Sequence, residues 1–181
     1  LALQSAGTTK MTVGSSITMN TGGLITAGTS QASTSGTSID FTSIPSWVKR
    51  ITVIFQGVST SGTSSYLIQI GAGSVTTTGY VGATLAVQSG AVSAGGNTST
   101  AGFIVIAANA SAYLYSGTVQ IVNITGNTWI ENGNLVDTTA VRGSISGGSI
   151  ALGGTLDRIR ITTVNGTDTF DAGSINILYE G

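Results

Sequence analysis

Apolar and polar residues alternate along most of this chain with a period of two. In Lys49-Arg50-Ile51-Thr52-Val53-Ile54-Phe55-Gln56, Ile51, Val53 and Phe55 fall on one side of an extended backbone, because successive strand side chains point to opposite faces. That side is expected to be core. Ile159 and Ile161 alternate with Arg158, Arg160 and Thr162, and Ile175 and Ile177 alternate with Ser174, Asn176 and Leu178. These segments read as strands with one wet or inter-subunit face. Further strands are predicted at 39–41, 66–70, 80–88, 103–107, 117–124, 128–130 and 144–152. They recur every 8 to 15 residues or so, roughly the spacing of a two-sheet sandwich, and Gly-rich or Asn-rich stretches separate them. No segment carries a sustained helical stripe, so very little helix is expected.

The pattern weakens before residue 38. Short pieces at 16–19 and 24–27 flank Asn20-Thr21-Gly22-Gly23, a hairpin-like turn signal, and are too short to close a core. The run Gly28-Thr29-Ser30-Gln31-Ala32-Ser33-Thr34-Ser35-Gly36-Thr37 reads as a flexible or extended connection. The expected organisation is a shaft-like lead with its linker at 1–37 and a head domain at 38–181. About eight core strands in the head match an all-β, jelly-roll-like antiparallel β-sandwich, which wraps two Greek keys. No fixed repeat runs from 39 to 181, which argues against a propeller or a long solenoid.

Composition adds one constraint. Hydrophobic residues make up 40% of the 181 positions but charged residues only 7%, against about 25% in an average soluble domain. Ser, Thr, Gly and Asn supply the polarity, and the net charge is −1. A surface so poor in charge is expected to be covered largely by copies of the same chain. Six scattered basic residues cannot form a phosphate-neutralising stripe, so nucleic acid is not an expected partner. No run of about 18 apolar residues spans a bilayer, and the start lacks the basic and apolar regions of a signal peptide. Membrane insertion is therefore not expected. A beginning at Leu1 leads to the expectation of a trimmed piece. Without Cys, disulfides and thiolate metal sites are excluded.

Histidine is also missing, which removes the commonest general base and metal ligand and with them the usual Ser/His and Cys/His triads. Paired carboxylates could hydrolyse glycosides, but the spacing of Asp40, Glu131, Asp137, Asp157, Asp168, Asp171 and Glu180 nominates no pair. The expectation is a non-enzymatic chain without a cofactor. Asp168 and Asp171, in Asn165-Gly166-Thr167-Asp168-Thr169-Phe170-Asp171, are candidate Ca²⁺ ligands, since hard cations take several oxygens from one loop. The same segment reads more simply as a turn with Asx hydrogen bonds. Four Asn-x-Ser/Thr sequons fit chance in so Ser/Thr-rich a chain, and Gly71-Ala72-Gly73 lacks the third glycine of a dinucleotide loop. Trp47 and Trp129 read as core or inter-subunit packing. Tyr113 and Tyr115 flank Leu114 at i, i+2 spacing, which would display both rings on one face, for a sugar or for a neighbouring subunit.

Two segments carry a resemblance. Ile44-Pro45-Ser46-Trp47-Val48-Lys49-Arg50-Ile51-Thr52-Val53-Ile54-Phe55 and the stretch from Leu156-Asp157-Arg158-Ile159-Arg160 to Ile177-Leu178-Tyr179-Glu180, with Gly126-Asn127-Thr128-Trp129 between them, resemble the C-terminal module of tailed-bacteriophage tail fibre and virion structural proteins over roughly residues 30–181. The resemblance implies a homotrimeric component of the virion tail that acts outside the cell, contacts other tail proteins and touches a bacterial surface glycan or outer-membrane protein. Thr169-Phe170-Asp171-Ala172-Gly173-Ser174-Ile175-Asn176-Ile177-Leu178-Tyr179 also resembles the last strand of complement-C1q-like and tumour-necrosis-factor-like jelly rolls, which are compact trimers, although an extra residue separates Phe170 from Gly173. On this reading a receptor would meet loops at 89–101, 108–116 and 131–140, with Tyr113, Tyr115, Asn97, Asn109 and Asn134 as candidate contacts. The competing expectations are a purely structural virion protein, such as a capsid decoration or tail component, and a polysaccharide depolymerase.

Overall fold

The structure, a computed structural model, describes residues 2–5, 8–12, 25–88, 95–139 and 141–181. Among them there is no helix. The strands in chain order are β1 Ala2–Ser5, β2 Thr8–Thr12, β3 Thr26–Ala27, β4 Gln31–Ala32, β5 Ser38–Thr42, β6 Arg50–Thr60, β7 Tyr66–Ala72 and β8 Ser74–Val75. They continue as β9 Val81–Gln88, β10 Gly96–Ser99, β11 Phe103–Ile104, β12 Tyr115–Thr125, β13 Thr128–Asp137, β14 Arg142–Ala151, β15 Arg158–Thr163 and β16 Phe170–Glu180. β1 and β2 pair as an antiparallel hairpin. The predicted piece at 16–19 and its turn lie outside the described residues.

The remaining strands form two antiparallel sheets. The larger runs β10-β9-β14-β13-β12-β6-β16-β3, with β4 also on β16; the smaller runs β11-β7-β15-β5, with β8 on β7. Their inner faces share one apolar core, so the head is an all-β, sandwich-like unit. Pairing is nested: β4 lies against β16, β5 against β15, β6 against β12 and β7 against β11. β9–β10 and β13–β14 then extend the larger sheet past β12.

The period-two pattern decides which side chains enter the core. Ile51, Val53 and Phe55 of β6, Ile159 and Ile161 of β15, and Ile175 and Ile177 of β16 are all buried. Each such side chain contributes about 1.5–3 kcal/mol by leaving water. Tyr66 anchors one end of the core, stacked on Phe55 at 6.5 Å and edge-on to Tyr115 at 5.6 Å. Its hydroxyl donates to the carbonyl of Val58 at 3.2 Å. Tyr80 sits edge-on to Phe103 at 5.0 Å and satisfies both polar backbone groups of Ile70 through its own hydroxyl.

A column of bulges crosses the larger sheet. In β6 the buried set shifts from Ile51, Val53 and Phe55 to Val58 and Thr60, because Gly57 turns left-handed at φ 58°. Register slips at the same level in both neighbours, between Tyr115 and Gly117 in β12 and between Ala172 and Ser174 in β16. Gly57 N–H donates to Ser116 Oγ at 2.9 Å. Gly173 lies at φ 87°, where a Cβ would collide with the carbonyl oxygen of Gly57, so only glycine fits.

Three segments differ from the sequence expectation. Residues 131–137, expected in a loop, complete β13, whose inward positions Glu131 and Gly133 carry no apolar signature. Gly96–Ser99 forms β10 without any β-branched run. The connection at 28–37 is extended but bound to the sheet: Gly28 N–H donates to Ile177 O at 2.7 Å, and Ser33, fully buried, donates to Gly173 O at 3.0 Å and Ala172 O at 2.8 Å.

Candidate recognition surface

The antiparallel registers sort the connections by end. Tyr66 pairs with Thr163, Thr60 with Phe170, Tyr115 with Val58 and Asp137 with Arg142, so loops 61–65, 105–114 and 164–169 and the β13–β14 turn gather at one end of the sandwich. Thr26 pairs with Tyr179 and Glu180 with Arg50, which puts the chain's arrival at β3 and its last residues at the opposite end. Whatever precedes the head attaches away from these loops.

Hydrogen bonds join the loops into one platform. Ser61 N–H donates to Thr169 O at 2.8 Å, and Ser64 N–H donates to Asp168 Oδ2 at 2.9 Å. Asn109 Nδ2 donates to Thr60 Oγ1 and to Ser64 O, each at 3.0 Å, tying 105–114 to 61–65. Buried Asp137 closes the other side: its Oδ1 accepts from Thr139 N–H at 2.9 Å, Thr139 Oγ1 at 2.5 Å and Leu114 N–H at 3.3 Å. The exposed rim is uncharged and hydroxyl-rich, with Ser61, Thr63, Ser111, Thr138, Thr139, Asn165 and Thr167 all facing solvent. Such a surface offers donors and acceptors already held in place, which lowers the ordering cost of binding a polar ligand.

The candidate contacts divide. Tyr113 is half-buried on the platform, with the Arg142 guanidinium 5.0 Å from its ring centre, a cation–π contact. Tyr115 is fully buried and its hydroxyl donates to Ala108 O, so the expectation of two rings displayed on one face fails. The reason is that β12 begins at Tyr115; Tyr113 precedes the strand, and alternation does not link the two. Asn109 spends its amide on the loop framework. Asn97 is exposed on β10 and donates to Ala107 O at 2.7 Å. Asn134 is exposed in the middle of β13, on the outer face of the larger sheet rather than in a loop. Ser61, Thr63 and Ser111 were missed because isolated hydroxyl residues in a Ser/Thr-rich chain carry no distinguishing pattern.

All seven carboxylates are engaged or buried. Asp40 makes a two-pronged pair with Arg160 at 2.7 and 3.0 Å, Asp157 pairs with Arg158 at 2.8 Å, and Glu180 pairs with Arg50. The Arg158 guanidinium holds the Asp157 carboxyl below its ordinary range. Asp168 accepts from Ser64 N–H and Asn165 Nδ2, and Asp171 accepts from Ser59 Oγ. Asn165 Oδ1 accepts from the backbone of Thr167 and Asp168, the Asx turn that this segment suggests. Among the described residues no three acids come together as metal ligands. Glu131 faces inward from β13 with Ser146 Oγ donating at 2.6 Å, and burial pushes its carboxyl up to about 7. Tyr80 is pushed up by burial to about 12. No family model matches this chain, and no curated protein or solved structure matches it either.

Proposed function

We propose that this chain is the receptor-binding tip of a bacteriophage tail fibre, a non-catalytic, homotrimeric module that attaches the virion to a bacterial surface glycan or protein through the loop platform. The observation that carries the reading is the separation of ends. A fibre that delivers the chain at β3 would present loops 61–65, 105–114 and 164–169 at its far tip. The resemblance of residues 30–181 to tail fibre modules supplies the setting. We read the sandwich as a jelly roll, because pairing first strand with last, second with second-last and so inward is what a hairpin wrapped into two Greek keys produces. Engagement of every carboxylate supports attachment over glycoside hydrolysis, which needs two carboxyl groups free to face a substrate.

The test is adsorption of the fluorescently labelled chain to a panel of bacterial strains, with and without periodate oxidation or protease treatment of the cells. Saturable binding to some strains, abolished by one of the two treatments, is the expected result. Absence of saturable binding on every strain, together with coating of purified phage particles, would point instead to a structural virion protein.

A further inference from the structure

Three of the four arginines are engaged by carboxylates and one is not. Arg50 pairs with Glu180, Arg158 with Asp157 and Arg160 with Asp40. Arg142 has no such partner, although all seven acids of the chain are among the described residues. Asp137, opposite it in the β13–β14 register, is fully buried and accepts from Thr139 and Leu114 through Oδ1; no Arg142 nitrogen comes within 4.0 Å of it. The Arg142 guanidinium lies instead by the Tyr113 ring, 5.0 Å from its centre, and does not turn to the unpartnered Asp137 Oδ2. Stacking on a ring fixes the guanidinium plane and leaves the N–H donors along its edges available. Among the described residues none of those donors is hydrogen-bonded to the chain. Val141, next to it, is held at φ 51°, a left-handed conformation that β-branched residues avoid and that persists mainly where a turn has a ligand to hold.

Arg142 also lines a hollow of 490 Å³ at the platform end of β14, together with Gln88 and Asn134 and the aliphatic side chains of Val87, Val136 and Ile145. Gln88 and Asn134 are exposed, and among the described residues neither amide is hydrogen-bonded to the chain. Gly143 gives the hollow its depth. Its backbone is not left-handed, and the nearest atom to an added Cβ would be 3.9 Å away, so the fold itself does not require glycine there. A glycine within a strand weakens it relative to alanine, and close approach of a ligand is a usual reason for keeping one. A concave site of this size, mostly apolar with a few convergent polar groups, is the ordinary form of a small-ligand pocket.

We infer that the hollow beside Arg142 is a subsite for a carboxylate-bearing sugar, the guanidinium gripping the carboxylate and the Gln88 and Asn134 amides reading the hydroxyls. This rests on the proposed attachment to a surface glycan and names the class of sugar that the edge of the platform takes. The planar fork of an arginine matches the two oxygens of a carboxylate. One cation also matches one charge: Lys49 and Arg50 lie at the opposite end and Arg158 and Arg160 on the smaller sheet, so a phosphate monoester, with a charge of about −1.5 to −2, would be left partly unbalanced. The aliphatic walls suit the C–H face of a sugar ring. An acidic peptide fits less well, because β14 lies between β13 and β9 and offers no free strand edge for a peptide backbone to pair with.

The experiment is adsorption of the labelled chain to a susceptible strain, before and after the cell-surface carboxylates are capped as neutral amides with carbodiimide and ethanolamine. Four variants accompany the wild type: Arg142→Gln, Arg142→Lys, Gly143→Val, which fills the hollow without changing charge, and Lys49→Gln, which removes the same charge at the opposite end. Circular dichroism reports whether each keeps its β structure. Capping is expected to lower wild-type adsorption at least about tenfold, as loss of a charged hydrogen-bonded pair does. Folded Arg142→Gln should lose a similar factor on untreated cells and nothing further on capped ones. Arg142→Lys, with the charge but not the fork, should fall between, Gly143→Val should adsorb weakly, and Lys49→Gln should match the wild type. Wild-type adsorption that capping leaves unchanged, or folded Arg142→Gln that adsorbs normally, overturns the subsite and leaves attachment standing; so does adsorption lost to protease and not to periodate. A wild type that adsorbs to no strain overturns both.

Discussion

At the scale of single residues, the buried carboxyl of Glu131 sets a pH dependence. Its one partner is Ser146 and its Oε2 has no hydrogen-bond partner, so burial favours the protonated form and raises its pKa from 4.5 to about 7. A raised folded-state value means that the folded form keeps its proton between those pH values while the unfolded form loses it. The associated stability is fully present below about pH 4.5, declines as pH rises towards 7 and is lost above it, a change of about 3 kcal/mol. Urea denaturation at pH 5 and pH 8 should show this decline in the wild type and its near absence in Glu131→Gln. Equal pH dependence in the two proteins would assign the effect elsewhere. Gly173 offers a second test: alanine there needs both a left-handed backbone and room that the Gly57 carbonyl occupies, so Gly173→Ala should lower stability by about 3 kcal/mol or more, measured by the same denaturation.

Among the elements, those with apolar inward positions were legible and those without were not. β6, β15 and β16 announce themselves through Ile, Val and Phe at every second position. β13 continues past Ile130 through Glu131, Asn132, Gly133 and Asn134, and its inward residues are a carboxyl and a glycine, so the same alternation is present in geometry and invisible in hydrophobicity. The platform was legible only as a set of turn-forming stretches; which of them meet follows from long-range pairing, such as Tyr66 with Thr163, that no local pattern encodes. Asp137 joins two of these elements. Removing it in Asp137→Ala leaves Leu114 N–H and Thr139 N–H without their acceptor, which should cost about 3 kcal/mol. Amide exchange at Leu114 and Thr139 should accelerate while that of Ile51 and Val53 on β6, away from the platform, changes only with global stability. Exchange unchanged at Leu114 and Thr139 would show that Asp137 does not hold the platform together.

On the scale of the whole molecule, the sandwich divides its surface into parts with different chemistry. Among the described residues the smaller sheet turns Asp40, Arg158 and Arg160 outward, the larger sheet carries its outward charges, Arg50, Glu180 and Asp171, towards its strand ends, and one end of the sandwich carries a hydroxyl-rich platform remote from the point where the chain arrives. The proposed attachment role would use this division, with a point of connection at one end and a free tip at the other. The most direct measurement is the amount of labelled chain adsorbed to a susceptible strain by two folded variants, one with Thr63→Lys, Ser111→Lys and Thr167→Lys on the platform, the other with Thr77→Lys and Thr78→Lys, both exposed, at the opposite end. The platform variant should adsorb at least about tenfold less than the wild type, given that several bound contacts of about 1 kcal/mol each are lost, and the other variant should adsorb normally. Undiminished adsorption by the platform variant, or its loss only in the opposite-end variant, would contradict recognition through these loops.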